Sequence, residues 1–169
     1  MNGIFYSTYY MSPIGKIYLY GKSDVLVGCY FSDTNIPLYF LMAQENHELR
    51  IFAQAKEWLS TYFSGKQPDF MPKLDVDGCS PFCVEVWDML LSIPYGATKS
   101  YGELAARYEG EHGTPMASQA IGGAVKKNVF PIIVPCHRVI GKNGRLTGYA
   151  GGLWRKKFLL EHEGASFVA

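Results

Sequence analysis

Near the start of the chain, apolar and polar positions alternate in a way that predicts a small antiparallel sheet. Three segments rich in β-branched and aromatic residues, 4–10, 16–20 and 25–31, are separated by turn sequences at 12–15 and 21–24. Such segments between clusters of Gly, Pro, Ser and Asp are typical of strands joined by tight turns. The pattern therefore predicts three strands in an antiparallel meander.

A helix is predicted after the sheet, from about Leu49 to Phe63, because apolar residues recur there at helical spacing. Its apolar positions are Ile51, Ala55, Trp58, Leu59 and Tyr62. The stretch 65–78 contains two prolines, shows little periodicity and is predicted to be a linker. We expect an N-terminal α/β domain over 1–78 and a C-terminal domain over 79–169.

The second half of the chain has the pattern of helices. Ser80 and Pro81 offer an N-cap followed by proline at the first helical position, and Ser100 and Glu103 have the spacing of a capping box. The helix after Pro81 carries one apolar stripe, made of Phe82, Val86, Met89, Leu90 and Ile93. The helix after Ser100 is expected to end near Tyr108.

A third helix is predicted over 116–127, after a turn over 110–115, and the order of helix, turn and helix is typical of a helix-turn-helix. Its two glycines, Gly122 and Gly123, cost roughly 1 kcal/mol each relative to alanine. We therefore expect close approach, either to another helix, which the pattern alone favours, or to a nucleic-acid groove. The lysines that end this helix favour the groove.

Composition indicates a folded globular protein, with 48% hydrophobic and 18% charged residues. No apolar run reaches the length of a membrane span, and the start of the chain lacks a basic region followed by an apolar one. We therefore expect a soluble, cytosolic protein with no membrane partner. Four scattered cysteines are too few for a disulfide framework, so reduced thiols are expected.

Charge is distributed unevenly along the chain. Residues 1–79 carry six Lys or Arg against eight Asp or Glu, whereas residues 80–169 carry ten against seven. The stretch 116–160 has no acidic residue and eight basic ones: Lys126, Lys127, Arg138, Lys142, Arg145, Arg155, Lys156 and Lys157. Such a stretch suits a polyanion whose phosphates it would neutralise, and a solvated basic face is an equally good interpretation.

Candidate chemistry lies in the sequence Pro135-Cys136-His137-Arg138, which follows a short apolar run. A thiol beside an imidazole and a guanidinium is expected to favour the thiolate, which is the nucleophilic form. Alone, the Cys136-His137 pair is weak evidence for a catalytic site, because most cysteines are buried structural residues and neighbouring side chains of an extended chain point apart.

Four sequence features in the right order, one of which contains Cys136, make the signal specific. Asn128, the run 131–140, the Gly-Tyr-Ala-Gly-Gly-Leu sequence 148–153 and the sequence 159–164 closely resemble the O6-alkylguanine-DNA alkyltransferase family. The resemblance extends from about Phe82 to Gly164, and the N-terminal part agrees in pattern only. It implies an α+β fold: an N-terminal ribonuclease-H-like antiparallel sheet with a helix, and a C-terminal helical, winged-helix-like domain with a helix-turn-helix.

The resemblance also implies an activity that needs no cofactor. It is the irreversible, single-turnover transfer of an alkyl group from O6-alkylguanine, and from O4-methylthymine, in double-stranded DNA to Cys136. His137 would act through a water molecule as the base, Glu163 would orient that histidine, and Asn128 would tie the recognition helix to the active-site segment. We expect a monomer, with cooperative binding along DNA left open.

Further roles are implied for residues that contact the substrate or DNA. Tyr101 would rotate a phosphate and donate to the leaving oxygen, and Tyr149 and Ala150 would lie in a loop that closes over the extruded guanine. The carbonyls of Cys136 and Val139 would accept from its amino group. The full set is Tyr101, Gln119, Ala120, Val125, Lys126, Arg138, Val139, Tyr149 and Ala150. Gln119 stands where the family has an arginine that fills the gap in the base stack, which predicts weaker or more salt-tolerant DNA binding.

Two other functions compete with repair. One is a non-catalytic module that recognises alkylated DNA, as the alkyltransferase-like relatives do, but those lack the cysteine. The other is a cysteine hydrolase, for which no oxyanion hole or acyl pocket is indicated. A zinc site from His47, Cys79 and Cys83 can be imagined, but the spacing is loose and a fourth ligand is missing, so no metal is expected.

Overall fold

The computed structural model describes residues 4–168, and the chain divides into two compact units, Met1–Asp77 and Gly78–Ala169. In the described range, no helix is both long enough and apolar enough to cross a membrane. Each unit has its own core of apolar side chains. The two are described separately below.

The first unit contains the predicted meander. Strands β1 (Tyr6–Ser12), β2 (Gly15–Lys22) and β3 (Val25–Phe31) pair antiparallel in sequence order. A short strand, β4 (Gln44–Glu45), adds to the far side of β1 in parallel, so the order is β3-β2-β1-β4. The three predicted strands are confirmed, with β1 beginning at Tyr6 rather than at Ile4.

Helix α1 (Arg50–Phe63) packs against the three long strands of this sheet. The predicted apolar face is buried and also includes Phe52. The helix approaches β2 so closely at Gly21 that a Cβ atom there would lie 3.0 Å from the Phe52 ring. Helical periodicity thus predicted this face correctly, because one side of α1 covers the sheet.

Part of the predicted linker belongs to the first unit. Leu74 forms a parallel bridge with Leu26 of β3, in which Leu26 N–H donates to Lys73 O and Asp75 N–H donates to Leu26 O, both at 2.8 Å. Lys22 and Asp75 form an ion pair beside it. The backbone groups at the edge of β3 need partners, and these residues supply them.

The second unit is helical, as predicted. Helix α2 (Pro81–Leu91) begins at the predicted N-cap, where Ser80 Oγ accepts from Cys83 N–H. Helix α3 (Tyr101–His112) begins with both hydrogen bonds of the capping box between Ser100 and Glu103. These local signals located both helix starts.

The end of α3 differs from the prediction. The helix does not stop near Tyr108 but continues through Gly110 to His112 and ends at Gly113, whose φ of 67° is left-handed. The ring of His112 stacks on that of Tyr108 at 4.1 Å, and Arg107 pairs with Glu111 one turn later. These i,i+4 contacts support a final turn that the glycine alone disfavours.

Helix α4 (Ser118–Lys126) follows after a turn and packs against α3, and a final helix, α5 (Leu153–His162), closes the unit. Two short strands pair in parallel: β5 (Lys99–Ser100), directly before α3, and β6 (Val139–Ile140), between α4 and α5. This pairing places the segment after Cys136 beside the start of α3.

Candidate active site

Cys136 lies in one turn of 3-10 helix, Cys136–Arg138, between the buried run 132–134 and β6. All three side chains of the turn are buried, with residue exposures of 7%, 0% and 8%. In an extended strand, neighbours would alternate between two faces. The tight turn instead allows three consecutive polar side chains to enter the same interior.

His137 is held by Glu163, the C-cap residue of α5. The distance from His137 Nε2 to Glu163 Oε1 is 2.7 Å, and neither side chain is exposed. Burial opposes ionisation of Glu163, but the hydrogen bonds from His137 and from the charged Arg138 outweigh it and lower the pKa of Glu163 to about 2. Glu163 is therefore a carboxylate at neutral pH.

Arg138 faces the same carboxylate rather than solvent. Its Nε donates to Glu163 Oε2 at 2.8 Å, its Nη2 donates to Glu163 Oε1 at 3.1 Å, and its Nη1 donates to Ile93 O at 2.7 Å. The expected DNA contact by Arg138 is therefore wrong, because its guanidinium is committed to partners inside the second unit. Its place in the basic stretch 116–160 had suggested a cation that faces a polyanion.

The Cys136 thiol does not have the environment that its sequence neighbours suggest. Burial raises its pKa, and the hydrogen bond to Asn128, the charge of Lys156 and two backbone N–H groups offset this only in part. The prediction that imidazole and guanidinium favour the thiolate is wrong, because Arg138 binds Glu163 and the net pKa shift is upward. The cation that favours the thiolate is Lys156.

Lys156 is the important residue that sequence reasoning missed. It is fully buried in α5, and its Nζ donates to Val139 O at 2.5 Å, Thr147 O at 2.6 Å and Gly148 O at 3.2 Å. Burial lowers its pKa to about 8, against the charge of Cys136. A signal was present in the sequence, since Lys156 precedes Glu163 by two helical turns and so shares its helix face.

Asn128 occupies the predicted place between α4 and the active-site segment. Its Nδ2 donates to Val134 O at 2.8 Å, and its Oδ1 accepts from Phe130 N–H at 2.9 Å. The same side chain hydrogen-bonds the Cys136 thiol. One amide therefore joins the exit of α4 to the reactive sulfur.

Tyr101 begins α3 and is half-buried. Burial raises the pKa of its hydroxyl group, the hydrogen bond to Thr147 opposes this rise, and a thiolate at Cys136 would add to it. Its ring lies beside Gly122 of α4, where an added Cβ atom would make ordinary contacts of 3.7 Å. A Cβ atom at Gly123 would meet nothing within 4 Å. The favoured explanation of the two glycines, close packing against another helix, is therefore wrong within the described part of the chain.

One face of α4 is exposed and carries glutamine, small residues and lysines. Val125 and Ile121 point into the core, whereas the opposite face carries Gln119, Ala120, Gly123, Lys126 and Lys127. In the loop after Cys136, Tyr149 is half-buried and Ala150 is exposed.

Of the eight basic residues in the stretch 116–160, five are exposed. The other three, Arg138, Arg155 and Lys156, are buried and have hydrogen-bond partners inside the second unit.

Both carbonyls expected to receive the guanine amino group already accept one hydrogen bond. Cys136 O accepts from Val139 N–H, and Val139 O accepts from Lys156. A carbonyl oxygen has two lone pairs, so one acceptor site remains on each. In residues 4–168 no group of three His, Cys, Asp or Glu is arranged to hold a metal ion, and His47 instead contacts Thr8 and Glu45.

Comparison with known proteins matches almost the whole chain to two family profiles. The profile for the 6-O-methylguanine DNA methyltransferase ribonuclease-like domain covers residues 5–76, and that for the DNA binding domain covers residues 81–165. The chain belongs to the 6-O-methylguanine DNA methyltransferase family. The resemblance in the sequence and the α+β fold class are thereby confirmed.

Relatives within the 6-O-methylguanine DNA methyltransferase family are similar over most of their length. The methylated-DNA–protein-cysteine methyltransferase of Mycobacterium leprae is 45% identical, over 90% of this chain and 88% of its own. That of Methanosarcina acetivorans is 43% identical, over 95% and 99%. The crystal structure of the Mycobacterium tuberculosis O6-methylguanine methyltransferase is 39% identical and superimposes with a TM-score of 0.83, over 95% of this chain and 93% of that one.

Proposed function

We propose that this member of the 6-O-methylguanine DNA methyltransferase family repairs DNA by transferring an alkyl group from O6 of guanine to Cys136, once per protein molecule. The observation that carries the proposal is the buried Cys136 thiol, next to the His137–Glu163 pair and within reach of Asn128 and Lys156. The names of the relatives support the same reaction class.

The residues suggest how the thiol becomes a nucleophile. Burial lowers the pKa of His137, so its imidazole is neutral at neutral pH and can accept the thiol proton through a water molecule. Lys156, with a pKa of about 8, is an ammonium at that pH and stabilises the sulfur anion as it forms. The ordinary state of Cys136 is therefore the thiol, and proton loss accompanies attack.

Transfer then follows an in-line displacement. The sulfur forms a bond to the alkyl carbon while the bond between that carbon and O6 breaks, and the electron pair passes to the guanine. Tyr101, whose pKa is raised by burial, keeps its hydroxyl proton at neutral pH and can donate a hydrogen bond to the departing purine. The purine takes up, through Tyr101, one proton in place of the one that His137 received from Cys136, so the protons balance. The thioether product has no good leaving group, so each protein molecule reacts once.

The target carbon lies inside the stacked duplex, so the nucleotide must first be extruded, at a cost of a few kcal/mol. We assign DNA contact to the exposed face of α4, with Gln119, Ala120 and Lys126. Val125, Val139, Tyr149 and Ala150 then form the pocket for the extruded base. Support comes from a Mycobacterium tuberculosis relative, 39% identical with a TM-score of 0.81, whose structure is described in complex with DNA.

Intact-mass measurement tests the proposal. Incubation with a duplex oligonucleotide that contains O6-methylguanine should add one methyl group in place of a hydrogen, and peptide mapping should locate it on Cys136. Cys136→Ser should not react, whereas Cys79→Ser, a matched change of another cysteine in the same unit, should react like the unmodified protein. Tight binding without mass gain would support the non-catalytic module, and ester turnover without mass gain would support the hydrolase.

Several finer expectations belong to the same proposal. Transfer from O4-methylthymine is tested by the same mass measurement with that lesion in the duplex. A monomeric state and cooperative binding along DNA are tested by sedimentation of the free protein and of its complexes with duplexes of increasing length. A cytosolic location stays a prediction of the sequence.

A further inference from the structure

Arg138 occupies a position that the alkyl-transfer mechanism does not yet use. Its side chain is 10% exposed and makes three hydrogen bonds, two to the oxygens of Glu163 and one to Ile93 O at the end of α2. Its guanidinium also lies 5.7 Å from the centroid of the Tyr95 ring. A planar guanidinium that binds both oxygens of a carboxylate fixes the orientation of that carboxylate as well as its charge.

Glu163 therefore receives four donors. Oε1 accepts from Arg138 Nη2 and faces His137 Nε2, while Oε2 accepts from Arg138 Nε and from Gly96 N–H at 3.1 Å. Donors that are permanently charged or belong to the backbone favour the ionised form of a carboxyl group. An ionised carboxylate can only accept. The proton between Glu163 and His137 must then reside on His137 Nε2.

We propose that Arg138 is a positioning residue for alkyl transfer: it keeps Glu163 ionised and thereby fixes the proton of His137 on Nε2. A neutral imidazole with its proton on Nε2 carries a lone pair on Nδ1, and only that lone pair can receive the proton of Cys136. Arg138 thus selects the tautomer in which His137 works as a base. The inference rests on the proposed function of Cys136 and adds to it a role for the second residue after the acceptor.

Charge balance around His137 leads to a second consequence. The charged or titratable groups that face it are Glu163, Arg138 and Lys156, with the Cys136 thiol on its own turn and Tyr95 beside the Arg138–Glu163 pair. Burial lowers the pKa of His137, Glu163 opposes this, and Arg138 and Lys156 add to it. With Arg138 present, the positive charge of its guanidinium balances the negative charge of the ionised Glu163. The imidazole of His137 therefore stays uncharged to lower pH.

Two variants of Arg138 separate this role from a DNA contact. Arg138→Met removes the charge and the hydrogen bonds, whereas Arg138→Lys keeps the charge and loses the paired geometry. Single-turnover rates of methyl transfer from an O6-methylguanine duplex are measured across roughly pH 5 to 9. We expect Arg138→Met to move the acidic limb upward by about one pH unit and to slow transfer, and Arg138→Lys to move the limb less. Affinity for the duplex and its salt dependence should not change, because Arg138 is buried.

Nitrogen chemical shifts of labelled histidine provide a readout that does not depend on activity, and the chain has only four histidines to assign. The unmodified protein should show His137 protonated on Nε2, and Arg138→Met should show a mixture of tautomers or an imidazolium. An Nδ1-protonated His137 in the unmodified protein, an unmoved acidic limb in Arg138→Met, or a weaker salt dependence of DNA binding would each overturn the inference. Failure of the unmodified protein to accept a methyl group would instead overturn the proposed function, and leave the tautomer measurement intact.

Discussion

Glu163 is the carboxylate on which the buried network depends, and Glu163→Gln is the change that tests this most directly. Glutamine has nearly the same shape as glutamate, but its amide cannot balance the charge of Arg138. Its nitrogen also cannot accept the hydrogen bonds that one of the two carboxylate oxygens of Glu163 accepts. The variant leaves the guanidinium buried without its counter-charge. Removing one partner of a buried, hydrogen-bonded ion pair typically costs about 3 to 5 kcal/mol.

The pKa of Glu163 gives an independent magnitude. A pKa lowered from 4.5 to about 2 on folding corresponds to roughly 3 kcal/mol of stability. The sign follows from the direction of the shift: because the folded pKa is depressed, this stability is fully present above about pH 4.5 and is lost as the pH falls toward 2. Both routes therefore predict a loss of about 3 kcal/mol for Glu163→Gln at neutral pH.

Urea unfolding measures this loss. With a slope of about 1 to 3 kcal/mol per molar urea, a loss of about 3 kcal/mol should lower the unfolding midpoint of the second unit by about 1 to 3 M. The variant should also lose most of the further decline in stability below pH 4.5. Glu103→Gln is the matched control, because the pKa of Glu103 is also lowered to about 2, yet its side chain is 53% exposed. Solvent screening should make that loss much smaller. Equal losses for the two variants, or an unchanged acid response in Glu163→Gln, would refute the argument.

Three other changes give outcomes that the structure specifies. Gln119→Arg places a cation on the exposed face of α4 and should tighten duplex binding and steepen its salt dependence by about one charge; unchanged affinity and slope would contradict an interface there. Gly96→Ala should lower thermal stability by more than Gly113→Ala, since both have left-handed φ but only at Gly96 would the new Cβ atom clash, at 2.8 Å from a backbone oxygen. Asn128→Ala removes the acceptor of one backbone N–H and the donor to one backbone carbonyl, and should cost about 1 to 3 kcal/mol and slow methyl transfer, as checked by urea unfolding and single-turnover rates.

Local signals in the sequence determined most of the fold. Strand alternation and turn residues located the meander, and the capping box of Ser100 and Glu103 located the start of α3, because these features depend on residues close together in the chain. The predicted end of α3 was wrong because a glycine within a helix only weakly favours helix termination when side chains of neighbouring turns interact. The motif around Cys136 also identified the family, since its residues are fixed by chemistry rather than by length or register.

Tertiary structure alone decided what each charge near Cys136 does. Arg138 and Lys156 both belong to one basic stretch of the sequence, yet Arg138 binds Ile93 O and Glu163, and Lys156 is enclosed by three backbone carbonyls. A cation remains buried only where acceptors replace its lost hydration. Those acceptors come from residues up to 45 positions away in the chain, so the sequence could count the charges but could not predict which of them face inward.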